Sequence, residues 1–235
     1  MAARKGASFK NADAADTERG RMHKNRIALV LLDRDGVLCD YREDGVLNLS
    51  MLELVPGLVR ALKLLKGDNF RIGVVTNQPN VADGTLSMHD LDKINGMIME
   101  RAAEAGIKPG NFVIETCVHG RDAGCDCRKP KTGLIGRVVK RFGLNPKEVN
   151  FYIVGDMMRE IQTLANYYNE ALKPAGISES AKTAILLTWE RGRDKGHISS
   201  EFRRLAKPDY EVHSLEEAVR LICSMEKGKR IEYNE

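Results

Sequence analysis

The sequence lacks the long apolar stretch that a membrane-spanning helix needs, about 20 residues, so no such helix is expected. Residues 1–26 are polar and contain no apolar central segment, so no secretory signal is expected there. Cysteine is scarce and odd in number. There are five, and three of them lie between positions 117 and 127. An odd count with one tight cluster argues against a disulfide framework and for a metal site in a reducing compartment. A cytoplasmic location is therefore expected.

What remains is a soluble globular profile, with 43% hydrophobic and 30% charged residues. The 235 residues suit one α/β domain or a core with an insertion. The net charge of +4 is unevenly placed, because residues 1–26 hold seven basic and three acidic side chains and residues 27–235 are neutral overall. The first 26 residues read as a flexible basic tail. A nucleic-acid or protein partner, a membrane surface and organelle import are the alternatives, although the acidic residues count against a transit peptide.

Apolar β-rich runs alternate with helical patterns along the rest of the chain. Strands are expected at Ile27–Leu32, Arg71–Val75, Asn111–Glu115, Phe151–Val154 and Thr183–Leu187. Helices are expected from Pro56 to about Lys66, from Ser87 to about Gly106, from Thr132 through Phe142, and onward from Arg159. Ser214 and Glu217 form a capping box for a last helix. Such alternation builds a doubly wound parallel sheet, with ligands outside the carboxyl ends of the strands. The stretch 169–182 reads as a surface insertion.

The chemical candidates fall at those strand ends. Asp33 and Asp35 follow the first strand in Asp33-Arg34-Asp35-Gly36. In an extended chain, residues i and i+2 point to the same side, so both carboxylates can face one substrate. One can attack phosphorus, and the other can protonate the departing oxygen. With Asp156 after the fourth strand they also form an oxygen set for a hard cation. Such an ion would neutralise a phosphate dianion.

The runs Asp33-Arg34-Asp35-Gly36, Thr76-Asn77-Gln78, Arg128-Lys129-Pro130 and Gly155-Asp156 resemble the four motifs of the haloacid dehalogenase superfamily. The likeness is nearest to its histidinol-phosphate and heptose-bisphosphate phosphatase branch, and it covers residues 27–222. The resemblance implies a Rossmann-like fold with no large cap domain. It implies Asp33 as nucleophile and Asp35 as general acid and base. Magnesium would be held by Asp33, the backbone carbonyl of Asp35, and Asp156. Thr76, Asn77 and Gln78 would serve phosphate and substrate, and Lys129 with Arg128 would neutralise charge. The implied substrate is a small phosphorylated metabolite, either a heptose bisphosphate or histidinol phosphate. Lys131-Thr132-Gly133-Leu134 tips the balance to the heptose side. A nucleic-acid 3′-phosphatase is suggested only by the basic tail. A non-enzymatic assembly protein on the same scaffold is the reading from a different class.

Cys117, His119, Cys125 and Cys127 supply three thiolates and one imidazole, enough for a closed tetrahedral zinc site. Its loop, residues 117–128, runs into Arg128 and Lys129 and would brace them. A C-terminal tail is expected over 223–235, and a monomer is expected. Two positions depart from the branch: Glu160 where an Asp is usual, and Met157 where a cation is usual. Trp189 reads as packing beyond the fifth strand.

Overall fold

The computed structural model describes residues 26–188 and 206–228. Most of the basic tail, the last residues of the chain, and Trp189 lie outside that range, and residues 223–226, expected in a C-terminal tail, instead belong to the last helix. Six strands form one parallel sheet in the order β3-β2-β1-β4-β5-β6. They are β1 Ile27–Leu32, β2 Phe70–Asn77, β3 Phe112–Cys117, β4 Val149–Gly155, β5 Lys182–Leu187 and β6 Tyr210–Val212. This is the doubly wound arrangement with its switch point between β1 and β4. The central strands are continuous apolar runs because both of their faces are covered.

The helices are α1 Leu58–Lys63, α2 Met88–Glu104, α3 Gly133–Arg141, α4 Met158–Tyr167 and α5 Leu215–Glu226. Alternation along β1 divides the core. Ala28, Val30 and Leu32 pack with α1, α2 and α5 on one face. Leu29 and Leu31 pack with α3 and α4 on the other. Each of these valines and leucines, fully buried, contributes about 1.5–3 kcal/mol. A smaller cluster of Cys39, Val46, Leu86, Leu91 and Ile94 joins the loops that leave β1 and β2.

The caps fall partly as expected. Ser87 Oγ accepts from the Asp90 N–H at 3.0 Å, and Ser214 Oγ accepts from the Glu217 N–H at 3.1 Å. Two expectations need correction. Helix α1 begins at Leu58, beyond Pro56, with Gly57 in the left-handed region at φ 76° as its N-cap. Thr132 does not cap α3 with its side chain; its hydroxyl donates to Glu170 Oε2 at 2.8 Å. Glu170 lies in the stretch read as an insertion. There, Tyr168–Leu172 continues α4 as a π-helical turn, and Glu179–Ala181 is a short 3-10 turn leading into β5.

Candidate active site and metal centres

Strand pairing gathers the acids. Leu32, the last residue of β1, is in register with Val154 of β4, and the Asp33 N–H donates to Val154 O at 3.1 Å. Asp33 and Asp156 therefore leave neighbouring strands side by side. Gly36, at φ 85°, packs so close to the Asp156 carboxylate that a Cβ there would overlap it. This close approach requires glycine.

Asp33, Asp156 and Glu160 are buried, and one carboxylate oxygen from each lies within 4.8 Å of the others. Lys129, with no side-chain exposure, stands between two of them: Nζ is 2.8 Å from Asp33 Oδ1 and 2.9 Å from Glu160 Oε1. Arg159 Nε donates to the same Glu160 oxygen at 3.1 Å. Burial raises the Asp33 carboxyl to about 6, with Lys129 opposing the rise and the Glu160 charge adding to it. Glu160 is also desolvated, but Lys129 and Arg159 outweigh this and hold it down at about 2.

This cluster fits a hard divalent cation. Every donor is a carboxylate oxygen, and Glu160 Oε2 is buried with no hydrogen-bond partner. Glu160 can occupy its place because Gly155 leaves room. A Cβ at 155 would collide with Glu160 Cβ and Cγ.

Asp35 is clasped. Arg34, itself fully buried, places Nε 3.1 Å from Asp35 Oδ1 and Nη2 3.1 Å from Oδ2. Gln78 Nε2 donates to Asp35 Oδ2 at 2.6 Å and to Thr76 Oγ1 at 2.9 Å, and the Cys39 thiol lies 3.4 Å from Oδ1. Burial works to raise the Asp35 carboxyl, but Arg34 first, then Gln78 and Cys39, bring it below the usual carboxylate range. Asn77 turns elsewhere: Oδ1 accepts from the Lys129 N–H at 3.0 Å and Nδ2 donates to Lys129 O at 3.2 Å. Arg128 ends in a buried Nη1 with no hydrogen-bond partner. Burial and the neighbouring Arg159 lower its proton affinity.

The four zinc candidates come together as a second cluster. Cys117 Sγ is 3.7 Å from Cys125 Sγ and 3.7 Å from His119 Nδ1, and His119 Nδ1 is 3.2 Å from Cys127 Sγ. Tetrahedral zinc with bonds of about 2.3 Å to sulfur needs sulfur–sulfur separations of about 3.8 Å, so the spacing fits. Lys131 Nζ closes the loop from outside, donating to Cys125 O at 2.6 Å and Gly124 O at 3.2 Å. Among the described residues no helix is long and apolar enough to cross a membrane.

No family model matches the chain. Curated relatives do. D-glycero-beta-D-manno-heptose-1,7-bisphosphate 7-phosphatase of Pseudomonas aeruginosa is 32% identical over 135 residues, which is 57% of this chain and 74% of that protein. The chain belongs to the heptose-1,7-bisphosphate phosphatase family. A second member, the D-glycero-alpha-D-manno-heptose-1,7-bisphosphate 7-phosphatase of Mycobacterium tuberculosis, is 34% identical over 140 residues, 58% of this chain and 71% of that one. The fold of the family is seen in the D,D-heptose 1,7-bisphosphate phosphatase of B. bronchiseptica, crystallised with magnesium and phosphate. It aligns with TM-score 0.64 at 22% identity, over 83% of this chain and 98% of that one.

The sequence patterns did not reveal Arg34 as the clasp on Asp35, Arg159 as a partner of Glu160, or Asn166, whose Nδ2 donates to Pro130 O at 2.9 Å. The first two carry a signal in hindsight, since each is a cation next to an acid, Arg34 just after β1 and Arg159 in the first turn of α4. Asn166 carries none.

Proposed function

We propose that the protein hydrolyses a phosphate monoester through an aspartyl-phosphate on Asp33, and that its substrate is a sugar bisphosphate of the heptose type. One observation carries this reading. A buried carboxylate at the end of β1 is paired at 2.8 Å with a buried ammonium, beside two further buried carboxylates. The heptose assignment is supported by the activities of the relatives named above.

Asp33 Oδ attacks phosphorus in line as the ester P–O bond breaks, and the leaving alcohol oxygen takes a proton from Asp35. Water then attacks the phosphorus of the aspartyl-phosphate and gives its proton to Asp35, which releases inorganic phosphate and regenerates Asp33. The clasp of Arg34 and Gln78 favours the ionised Asp35, the form needed for this second half. Lys129 offsets charge on Asp33 and on the transferring group, and the Thr76 hydroxyl and Arg128 would serve the phosphoryl oxygens. Asp33, the carbonyl of Asp35, and Asp156 would hold magnesium, with Glu160 adding an oxygen. The ion, when bound, supplies neutralisation of the phosphate dianion.

Cys117, His119, Cys125 and Cys127 would hold a structural zinc, with no open position for water. Reduced thiols at that site suit a cytoplasmic location. The test is a phosphate-release screen with magnesium over heptose bisphosphate, other sugar phosphates, histidinol phosphate and nucleotides. Heptose bisphosphate should be turned over fastest, and Asp33→Asn should abolish turnover with an unchanged fold. Steady-state activity retained in Asp33→Asn would overturn the nucleophile assignment.

A further inference from the structure

We infer that Asn77 is a positioning residue for Lys129, acting through the lysine's peptide and not by a side-chain contact with substrate. The inference rests on the reading of Lys129 as the cation at the phosphate. Asn77 is the last residue of β2 and is in register with Cys117 of β3. Alternation along the strand sets Thr76 and Gln78 on one side and Asn77 on the other. On their side, Gln78 bridges Thr76 and Asp35. On its own side, Asn77 meets the loop that carries Lys129.

Its carboxamide there does what a neighbouring strand would do. Oδ1 takes the Lys129 N–H at 3.0 Å, and Nδ2 gives to the Lys129 carbonyl at 3.2 Å. Both ends of the amide are spent on one residue 52 positions further along the chain. A carboxamide offers a donor and an acceptor side by side, as this pairing needs. Aspartate would set an oxygen against the Lys129 carbonyl, and alanine would leave both backbone groups without these partners.

The pairing matters because of what Lys129 must do. Its ammonium stands 2.8 Å and 2.9 Å from two carboxylates at the end of a long, flexible stem. The salt bridges fix the tip, and the base has to be fixed separately. Asn77 fixes it from β2. On the far side Asn166 of α4 holds the next carbonyl, Pro130 O, at 2.9 Å. The loop is thus pinned between a strand end and a helix, and the zinc cluster begins at Cys117, the register partner of Asn77. The second N–H of the amide remains, and a direct bond from it to a phosphoryl oxygen is the competing role.

A double-mutant cycle on the full chain separates the two, using a generic aryl phosphate with magnesium. Asn77→Ala should lower kcat by about 10- to 100-fold, the scale of an ångström-sized misplacement, with KM within about twofold. In a Lys129→Met background the same substitution should change kcat by less than about threefold, since residues that act as a unit are not additive. Asn77→Asp should match the alanine variant in kcat and guards against a loss that comes from unfolding. Hydrogen exchange reads the contact without turnover: the Lys129 amide should exchange at least about tenfold faster in Asn77→Ala. An equal fall in kcat in both backgrounds, a change confined to KM, or unchanged exchange at Lys129 would each overturn the inference. If the wild-type protein releases no phosphate from any monoester, the functional reading fails instead, and the exchange measurement alone decides whether Asn77 holds the Lys129 peptide.

Discussion

Replacing Lys129 by methionine should cost stability as well as activity. Methionine keeps the length and packing of the stem and removes the charge. Asp33 and Glu160 would then lose the ammonium 2.8 Å and 2.9 Å away, while both stay buried. Arg159 still reaches Glu160, so the larger deficit falls on Asp33. Breaking a buried ion pair by removing one partner costs about 3–5 kcal/mol, a large share of a total stability of about 5–15 kcal/mol. At about 2–4 °C per kcal/mol for a chain of this size, the melting temperature should fall by roughly 6–20 °C.

The loss should also depend on pH. Asp33 is raised to about 6 from 3.8, so its ionisation weakens the fold as pH rises from 4 through 6. Glu160 is depressed to about 2 from 4.5, so its contribution is present above 4.5 and is lost as pH falls through 2. Without Lys129 both carboxyls move up, and the penalty for ionising them grows with pH. Melting curves of wild type and Lys129→Met at pH 5 and pH 8 are the assay, and the gap should be wider at pH 8. A fall of under about 3 °C that is equal at both pH values would refute the reasoning.

Three further outcomes are expected. Purified protein should carry about one zinc per chain by elemental analysis, and Cys125→Ser should lose it and melt earlier; no bound zinc in the wild type would count against the site. Glu160→Ala should raise the magnesium concentration needed for half-maximal activity, and Glu160→Asp should preserve activity. Identical magnesium titrations for all three forms would reduce Glu160 to a residue favoured by the start of α4. Gly36→Ala should destabilise by about 1–3 kcal/mol, the cost of a non-glycine residue held at positive φ, and should weaken magnesium binding by displacing Asp156; a native melting curve and titration would contradict the close approach.

The strands and the acids at their ends are legible because the apolar runs are bounded, and the first, second and fourth lead into Asp33, Thr76 and Gly155-Asp156. Local pattern suffices for that. Strand β6 was not anticipated, since three residues are too few to show a period. Arg34 is hidden from pattern reading because a charged residue between two acids reads as exposed, whereas it is fully buried against Asp35. Thr132 has the right residue type for a cap, yet its backbone is helical and its hydroxyl serves Glu170. The amide pair between Asn77 and Lys129 joins positions 52 apart, a distance at which no hydrophobic period or capping rule speaks. Glu160 stands out in the sequence only as a Glu where an Asp is usual. Its sharing by Lys129 and Arg159 emerged only in three dimensions.

The pairing of β1 with β4 has a consequence for how this site can change. Asp33 and Asp156 follow strands locked together by main-chain hydrogen bonds, with Leu32 against Val154. Neighbouring strands stand about 4.8 Å apart, so the gap between the two acids is a property of the backbone ladder and is indifferent to most substitutions. A one-residue slip would exchange the two faces of the strand, sending every side chain into the core on the opposite side, so that gap cannot be adjusted gradually. The reach of the third acid can be. A Glu at 160, admitted by the glycine at 155, alters the depth of the oxygen set while its width stays fixed. For the magnesium site proposed above, the length of the side chain at 160 would be a route to a changed ion preference, and that route stays open only while position 155 has no side chain.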